Sequence, residues 1–336
     1  MSDKYGFRVS TFSLAARTDN RGSRGPDLAL DQICGSGSAF ELFRDALRFI
    51  QSEGASRADD VHHEVMAVHE GSNHGFLLCV VRGGRSGEAY DLRDHRGDST
   101  GQVRQEDAMT WPGRVLYVFP TGASTMGFQI QETRGRQSHG IPTNDRLIAR
   151  LREEHSLIAS FTHDVADGAI WARILESEQA QLNVLEFKSP PGDGAGFSEE
   201  LGAKSLAVRL NVEPEREKTR ELFGVIKSLM RRRQSLAPLL NAIGGVPHQS
   251  ALEDGSATAR VTVDGSSRSI QLNGRSSWFV RLFSSAGRPG NWEFLREAAR
   301  DILELAGPLG VTLDAQPLPT ADIPDAIEPG DDTSEA

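Results

Sequence analysis

The chain has 336 residues, room for about two domains at ~150 residues each, and with 38% hydrophobic and 25% charged residues it has an ordinary globular composition. No apolar run approaches the ~18 to 20 residues a membrane helix needs, and the opening Met-Ser-Asp-Lys-Tyr lacks the basic-then-apolar layout of a secretory signal, so a cytoplasmic protein is expected. The formal charge of −10 is uneven: residues 1–200 carry 21 basic and 29 acidic side chains, residues 201–300 carry 16 and 9, and residues 301–336 carry none and 9. A basic segment between two acidic ones points to a polyanion-binding face, because local charge governs encounter while total charge governs solubility.

Along the chain, residues 7–14 alternate as a strand and a polar, Gly-rich loop follows to about residue 27. Phe40, Phe43, Ala46, Leu47 and Ile50 recur at three- and four-residue steps and predict a helix over 39–50. Short β-like runs at 63–68, 76–81, 88–92, 114–120 and 126–133 then predict a mostly antiparallel sheet. A helical pattern over 145–154, with Thr143 or Asn144 as the N-cap, closes a first domain.

Strand patterns resume at 168–175 and 182–187, the Pro- and Gly-rich stretch 189–196 reads as a loop, and 206–212 is another strand. The helix after Pro214 is expected to run to about Ile243, where Gly244 and Gly245 stop it. Residues 257–263 and 269–272 flank an Asp264-Gly265 turn as a hairpin, 277–283 adds a strand, and the last helix covers 292–306. The expected class is α+β in two domains, 1–158 and 159–311, each a mostly antiparallel sheet with helices packed on it. Residues 312–336 are acidic and poor in apolar side chains, which predicts a disordered tail.

The long helix carries the most chemistry. With Arg216 at zero and ~100° per residue, Arg220, Lys227 and Arg231 fall at roughly 40°, 20° and 60°, while the apolar residues occupy roughly 180–340°. Together with Arg232 and Arg233 these cations form a ridge suited to several phosphates; Glu215, Glu217 and Glu221 offer the competing reading of a compensated, solvated helix. Neither zinc-finger spacing, nor an aromatic RNA motif, nor a helix-turn-helix signature is visible, so base reading is not expected.

Leu-Glu-Phe-Lys at 185–188 offers an enzymatic alternative. On a strand Glu186 and Lys188 share a face, and with Asp167 upstream they resemble the acidic-residue-then-Glu-x-Lys core of magnesium nucleases, against the plainer reading of a cross-strand ion pair. The neighbouring His62, His63, His69 and His74 lack metal-ligand spacing and read as surface or sheet histidines. Cys34 and Cys79 provide neither a disulfide framework nor a cysteine-rich zinc site. Gly-Ser-Gly-Ser at 35–38 lacks the Gly-Lys-Ser/Thr ending of a phosphate cradle and reads as a helix-entry loop. No cofactor or metal is expected, and a scaffold that contacts only proteins is the remaining alternative.

The helix at 40–50, the hairpin Arg-Val-Leu-Tyr-Val-Phe-Pro-Thr-Gly-Ala-Ser-Thr-Met-Gly-Phe-Gln-Ile-Gln-Glu-Thr-Arg at 114–134, Ile-Pro-Thr-Asn-Asp-Arg-Leu-Ile at 141–148, Leu-Glu-Phe-Lys at 185–188 and Leu-Ala-Val-Arg-Leu-Asn-Val-Glu-Pro at 206–214 follow one another in an order that resembles RexA-type phage-exclusion proteins over residues 36–308. The resemblance implies a non-enzymatic homodimer that binds double-stranded DNA without sequence preference. It also implies a prophage-encoded role in excluding other phages, with a separate RexB-like membrane-channel partner. The acidic tail has no counterpart in that pattern.

Overall fold

The computed structural model describes residues 5–18, 23–33, 37–58, 61–71, 75–85, 90–93, 99–103, 109–134, 137–177, 179–188, 207–212, 216–231, 235–245, 252, 255–263, 266–272, 278–283 and 288–313. The class is α+β, and the chain forms two compact units: Met1–Thr162 with Ser285–Ala336, and His163–Ser284. The expected tail beyond residue 313, the loop at 189–196 and the turn at 264–265 lie outside the described residues.

The first unit begins with β1 (Tyr5–Arg17), β2 (Arg24–Asp27), α1 (Ala39–Glu53), β3 (Ser56–Ala58), β4 (Val61–Glu70), β5 (Phe76–Arg85), β6 (Tyr90–Arg93) and β7 (Ser99–Val103). It continues through β8 (Met109–Val118), β9 (Gly127–Arg134), β10 (Gln137–Ser138), α2 (Gly140–His155) and β11 (Leu157–Thr162). Its main sheet runs β1-β9-β8-β5-β4-β3, with β2 and β11 also on β1 and β10 on β9; β6 and β7 pair separately. All these pairings are antiparallel.

One sheet face is apolar through Phe12, Leu14, Val65, Leu77, Cys79, Val81, Val115 and Tyr117, and α1 and α2 bury their own stripes in the same cluster. The α1 stripe is the expected one. Phe40, Phe43, Ala46, Leu47 and Ile50 are buried, and the Ser38 hydroxyl and Glu41 carboxylate close a capping box at its start. Phe43 packs against Phe12, Tyr117 and Phe119 with ring centroids 5.0 to 5.4 Å apart, a cluster in which each fully buried ring contributes about 2 to 3 kcal/mol.

The second unit holds α3 (Asp164–Glu176), β12 (Gln181–Lys188), β13 (Ala207–Asn211), α4 (Arg216–Arg231), α5 (Ala237–Ala242), β14 (Ser256–Val263), β15 (Ser266–Leu272) and β16 (Trp278–Leu282). Its strands order as β13-β12-β14-β15-β16, again antiparallel. Leu185, Phe187, Ala257, Ala259, Val261 and Ile270 form the buried face, α4 packs on β15, and Trp171 of α3 meets Phe223 of α4 edge-on at 6.4 Å.

Four expectations are corrected. Residues 168–175 are not a strand but the body of α3, whose buried Ala166, Ile170, Trp171 and Ile174 follow the helical period. The helix expected to reach Ile243 ends at Arg231, and α5 begins afresh with Pro238 in its first turn, because a proline ring clashes with the carbonyl four residues back in a continuous helix. Thr143 and Asn144 lie inside α2 and are buried, and His139 takes the cap position.

The fourth correction concerns the last helix, α6 (Asn291–Ala306), expected in the second domain but belonging to the first unit. Phe294 meets Phe7 of β1 edge-on at 6.1 Å, Arg114 of β8 hydrogen-bonds the side chain of Asn291, and the Thr121 N–H donates to the Thr312 carbonyl at 2.9 Å. Thus α6 covers the sheet face opposite α1 and α2, which is why Gly127–Glu132 is buried on both sides.

Candidate nucleic-acid interface

Helix α4 has a sharply divided surface. Thr219, Leu222, Phe223, Ile226 and Leu229 are buried and occupy roughly 220–340° of the wheel, so the core-facing arc is the one its apolar spacing predicts. Arg220, at ~40°, is exposed, and Lys227, at ~20°, is half-buried, as expected of a long side chain whose stem lies along the edge of the apolar arc. Neither makes a hydrogen bond or ion pair among the described residues. By contrast, Lys218 on the far side is engaged with Glu221 at 2.8 Å. An exposed pair of that kind adds little to stability, but it turns Glu221 away from the ridge.

Arg216 and Arg231 are the first and last residues of α4, and helical geometry sets both on the ridge side; their side chains, and Arg232 and Arg233 altogether, lie outside the described residues. Of the arginines on the sheet, Arg268 and Arg281 stand opposite each other in register and are buried, so these two add nothing to an exposed cationic surface. The boundary also redistributes the charge. Residues 163–284 carry 15 basic and 15 acidic side chains, so this unit is neutral overall, and the excess read over 201–300 drew on Arg288, Arg296 and Arg300 of the first unit. The cationic character is therefore local, as on the α4 flank, rather than that of the whole unit.

The residues of the nuclease alternative are not brought together. Glu186 and Lys188 share a face of β12, with Lys188 Nζ 3.1 Å from Glu186 Oε1, but this is the face opposite the buried Leu185 and Phe187. Asp167 is buried on α3, four residues before Trp171 on the same flank, within the helix layer on the apolar side of the sheet. Among the described residues no group of three His, Cys, Asp or Glu side chains could hold a metal ion.

Other residues singled out by the sequence find structural roles. At the start of α1 the Glu41 carboxylate accepts from the Ser38 N–H at 2.8 Å, occupying the place an anion would take at a helix N-terminus. Cys79 is fully buried, and its thiol pKa is pushed far up by desolvation, which leaves it unreactive. Cys34 and His74 lie outside the described residues.

Of the two alternatives read for the histidines, surface or sheet, His63 takes the second, since it lies on β4 and is buried. Its Nε2 donates to Thr143 Oγ1 at 2.9 Å while the Thr143 hydroxyl donates to the His139 carbonyl at 2.8 Å, leaving Nδ1 of His63 without a partner among the described residues. His139 in turn donates from Nε2 to the Trp111 carbonyl at 2.9 Å. Gly83 and Gly113 make room for that ring, since a Cβ on either would come within 2.6 Å of it. Burial first, then the nearby charges of Arg146 and His139, lowers the His63 pKa to about 4. Burial also dominates at His139, lowered to about 4 against the raising effect of the Trp111 carbonyl.

The sequence reading missed the polar layer beside this pair. Ser10 donates to Gln129 Oε1 at 3.1 Å, Gln131 donates to the same oxygen at 2.6 Å, and Tyr117 donates to Asn144 Oδ1 at 3.0 Å, all buried between the sheet and α2. These groups satisfy one another and leave no open site, so the layer fixes how α2 docks. The only available signal was the pair of glutamines alternating with Phe128 and Ile130 on β9, which alone reads as a solvent-facing strand edge.

No family model, curated protein or solved structure matches the chain. Among the described residues no helix is long and apolar enough to cross a membrane.

Proposed function

We propose that the second unit binds the backbone of double-stranded DNA without reading its sequence, through Arg216, Arg220, Lys227, Arg231, Arg232 and Arg233. The observation that carries this reading is the flank of α4. Arg220 and Lys227 stand there beside the core-facing arc without an ionic partner among the described residues, while the acidic Glu221 is held by Lys218 on the other side. Such an array supplies charge along a line but no aromatic, amide or carboxylate group arranged to distinguish base edges.

The RexA-like order of elements extends the proposal to a cytoplasmic, prophage-encoded homodimer that senses DNA and engages a membrane-channel protein to exclude other phages. In this role the protein acts by binding and not by hydrolysis.

Titrating unrelated duplexes with the full chain at increasing salt tests the reading. With ~4 to 6 phosphates neutralised, log affinity should fall against log salt with a slope of about −4 to −5. Affinity that is flat with salt, or strongly dependent on sequence, would refute backbone binding. Plasmid DNA incubated with the protein and magnesium should be retained uncut.

A further inference from the structure

The face of the second sheet turned away from its helices has a chemistry of its own. One parity is apolar, buried along β12 and β14 and half-buried along β13, while the other is half-buried or exposed and carries Arg209, Glu186, Lys188, Arg260, Thr258 and Thr262. Cross-strand register fixes their arrangement: Arg209 stands opposite Glu186, Glu186 opposite Thr258, and Arg260 opposite Val184. The carboxylate of Glu186 is already taken by Lys188 at 3.1 Å. Arg209 and Arg260 make no hydrogen bond or ion pair among the described residues. Three cations therefore surround one carboxylate, and the two guanidiniums rise from backbone positions about 12 Å apart, from two strand spacings and two residues of rise.

We propose that this face is a second phosphate-backbone surface, so that one copy of the unit holds one duplex on the α4 ridge and another across β13, β12 and β14. This rests on the reading of α4 as the first DNA surface. Because α4 belongs to the layer on the sheet's apolar face, a helix of ~10 Å diameter and the sheet itself separate the two surfaces, and one straight duplex cannot lie on both. Guanidiniums amid threonine hydroxyls suit non-bridging phosphate oxygens, which take parallel N–H donors. These three strands place no aromatic side chain on the open face, so a single strand would find no platform for its bases, and a duplex is the form that fits.

The test is capture of a second duplex. Full-length protein is loaded on a bead-bound duplex, a labelled duplex of unrelated sequence is added, and binding of a single free duplex is measured in parallel. The wild type should capture the label. Arg209→Ser with Arg260→Ser should abolish most capture and lower its salt slope by ~2 while leaving single-duplex binding largely intact, and Glu186→Gln should increase capture by removing the one repelling charge.

Undiminished capture by the Arg209→Ser, Arg260→Ser variant would overturn the proposal, as would a wild type that binds one duplex and never a second. A glutamate-rich peptide displacing the label at lower concentration than free duplex would assign the face to an acidic protein and overturn it as well. Failure of the α4 reading is distinct: Arg220→Ser with Lys227→Ser would then leave single-duplex binding unchanged. Circular dichroism and thermal unfolding confirm that each variant is folded.

Discussion

Arg288 grips Glu132 through two parallel hydrogen bonds, Nε to Oε1 and Nη2 to Oε2, each 3.0 Å, across 156 residues of chain. The same carboxylate is fully buried and accepts from Arg114 Nη1 at 3.2 Å, and Arg114 reaches on to the Pro289 carbonyl at 2.8 Å. The start of α6 is thereby fastened to β8 and β9 by one acidic side chain. Glu132→Ala removes the charge that both guanidiniums face and should destabilise the first unit by about 3 to 5 kcal/mol, because a buried cation is left without its counter-charge. Urea unfolding followed by near-UV dichroism measures this; a loss under about 1 kcal/mol would mean the clamp is not what holds α6.

The two buried histidines set an acid limit. Both have folded-state pKa values near 4 against an ordinary 6.5, so the unfolded chain binds more protons between those values. The associated stability is fully present above pH 6.5 and is lost as the pH falls toward 4, to the extent of up to about 3 kcal/mol per histidine. Denaturation midpoints should drop across that interval, and His63→Asn should show about half the dependence. A midpoint indifferent to pH would contradict the buried, neutral assignment.

Gly224 sits on the exposed side of α4, and a Cβ there would meet nothing within 4 Å. Gly224→Ala should stabilise the second unit by about 0.5 to 1 kcal/mol by reducing the freedom of the unfolded chain. Gly37 is the opposite case, at φ +88° with the Glu41 carboxylate 2.5 Å from a would-be Cβ, and Gly37→Ala should destabilise. Thermal unfolding reads both, and a lower midpoint for Gly224→Ala would disprove the first.

On the ridge, Arg220→Ala with Lys227→Ala should weaken binding to unrelated duplexes alike and make the salt slope shallower by ~2. The fold should persist because both side chains lie outside the buried arc of α4. An affinity loss confined to one DNA sequence would argue for base contacts instead.

How far the sequence revealed this structure differs from element to element. The stripes of α1 and α6 were legible because their apolar residues keep a period of 3.6 over four turns, and the hairpin of β14 and β15 because alternation brackets an Asp-Gly pair. In α3 the run Ala-Ile-Trp-Ala-Arg-Ile-Leu is too short and too rich in β-branched and aromatic residues for period alone to decide, and Gly168 weakened the helical reading. Strand β11 was missed because only Ser156, in a left-handed conformation at φ 54°, separates it from α2, with neither glycine nor proline to mark the turn.

The ridge was legible as a helical wheel, but Asp167 was misplaced once its surroundings were read as a strand. The partnership of α6 with β1 and β8 was hidden because nothing in a local window joins Asn291 to Arg114.

That partnership sets an order of events during synthesis. The second unit is one unbroken stretch and can complete its core soon after residue 284 leaves the ribosome, whereas the first unit, begun earlier, waits for α6. Until then Phe7, Arg114 and Glu132 have no covering helix, and a nascent chain displays one side of a long antiparallel sheet through most of its translation. Cutting the gene after codon 158, where the sequence alone places a boundary, would make that temporary exposure permanent.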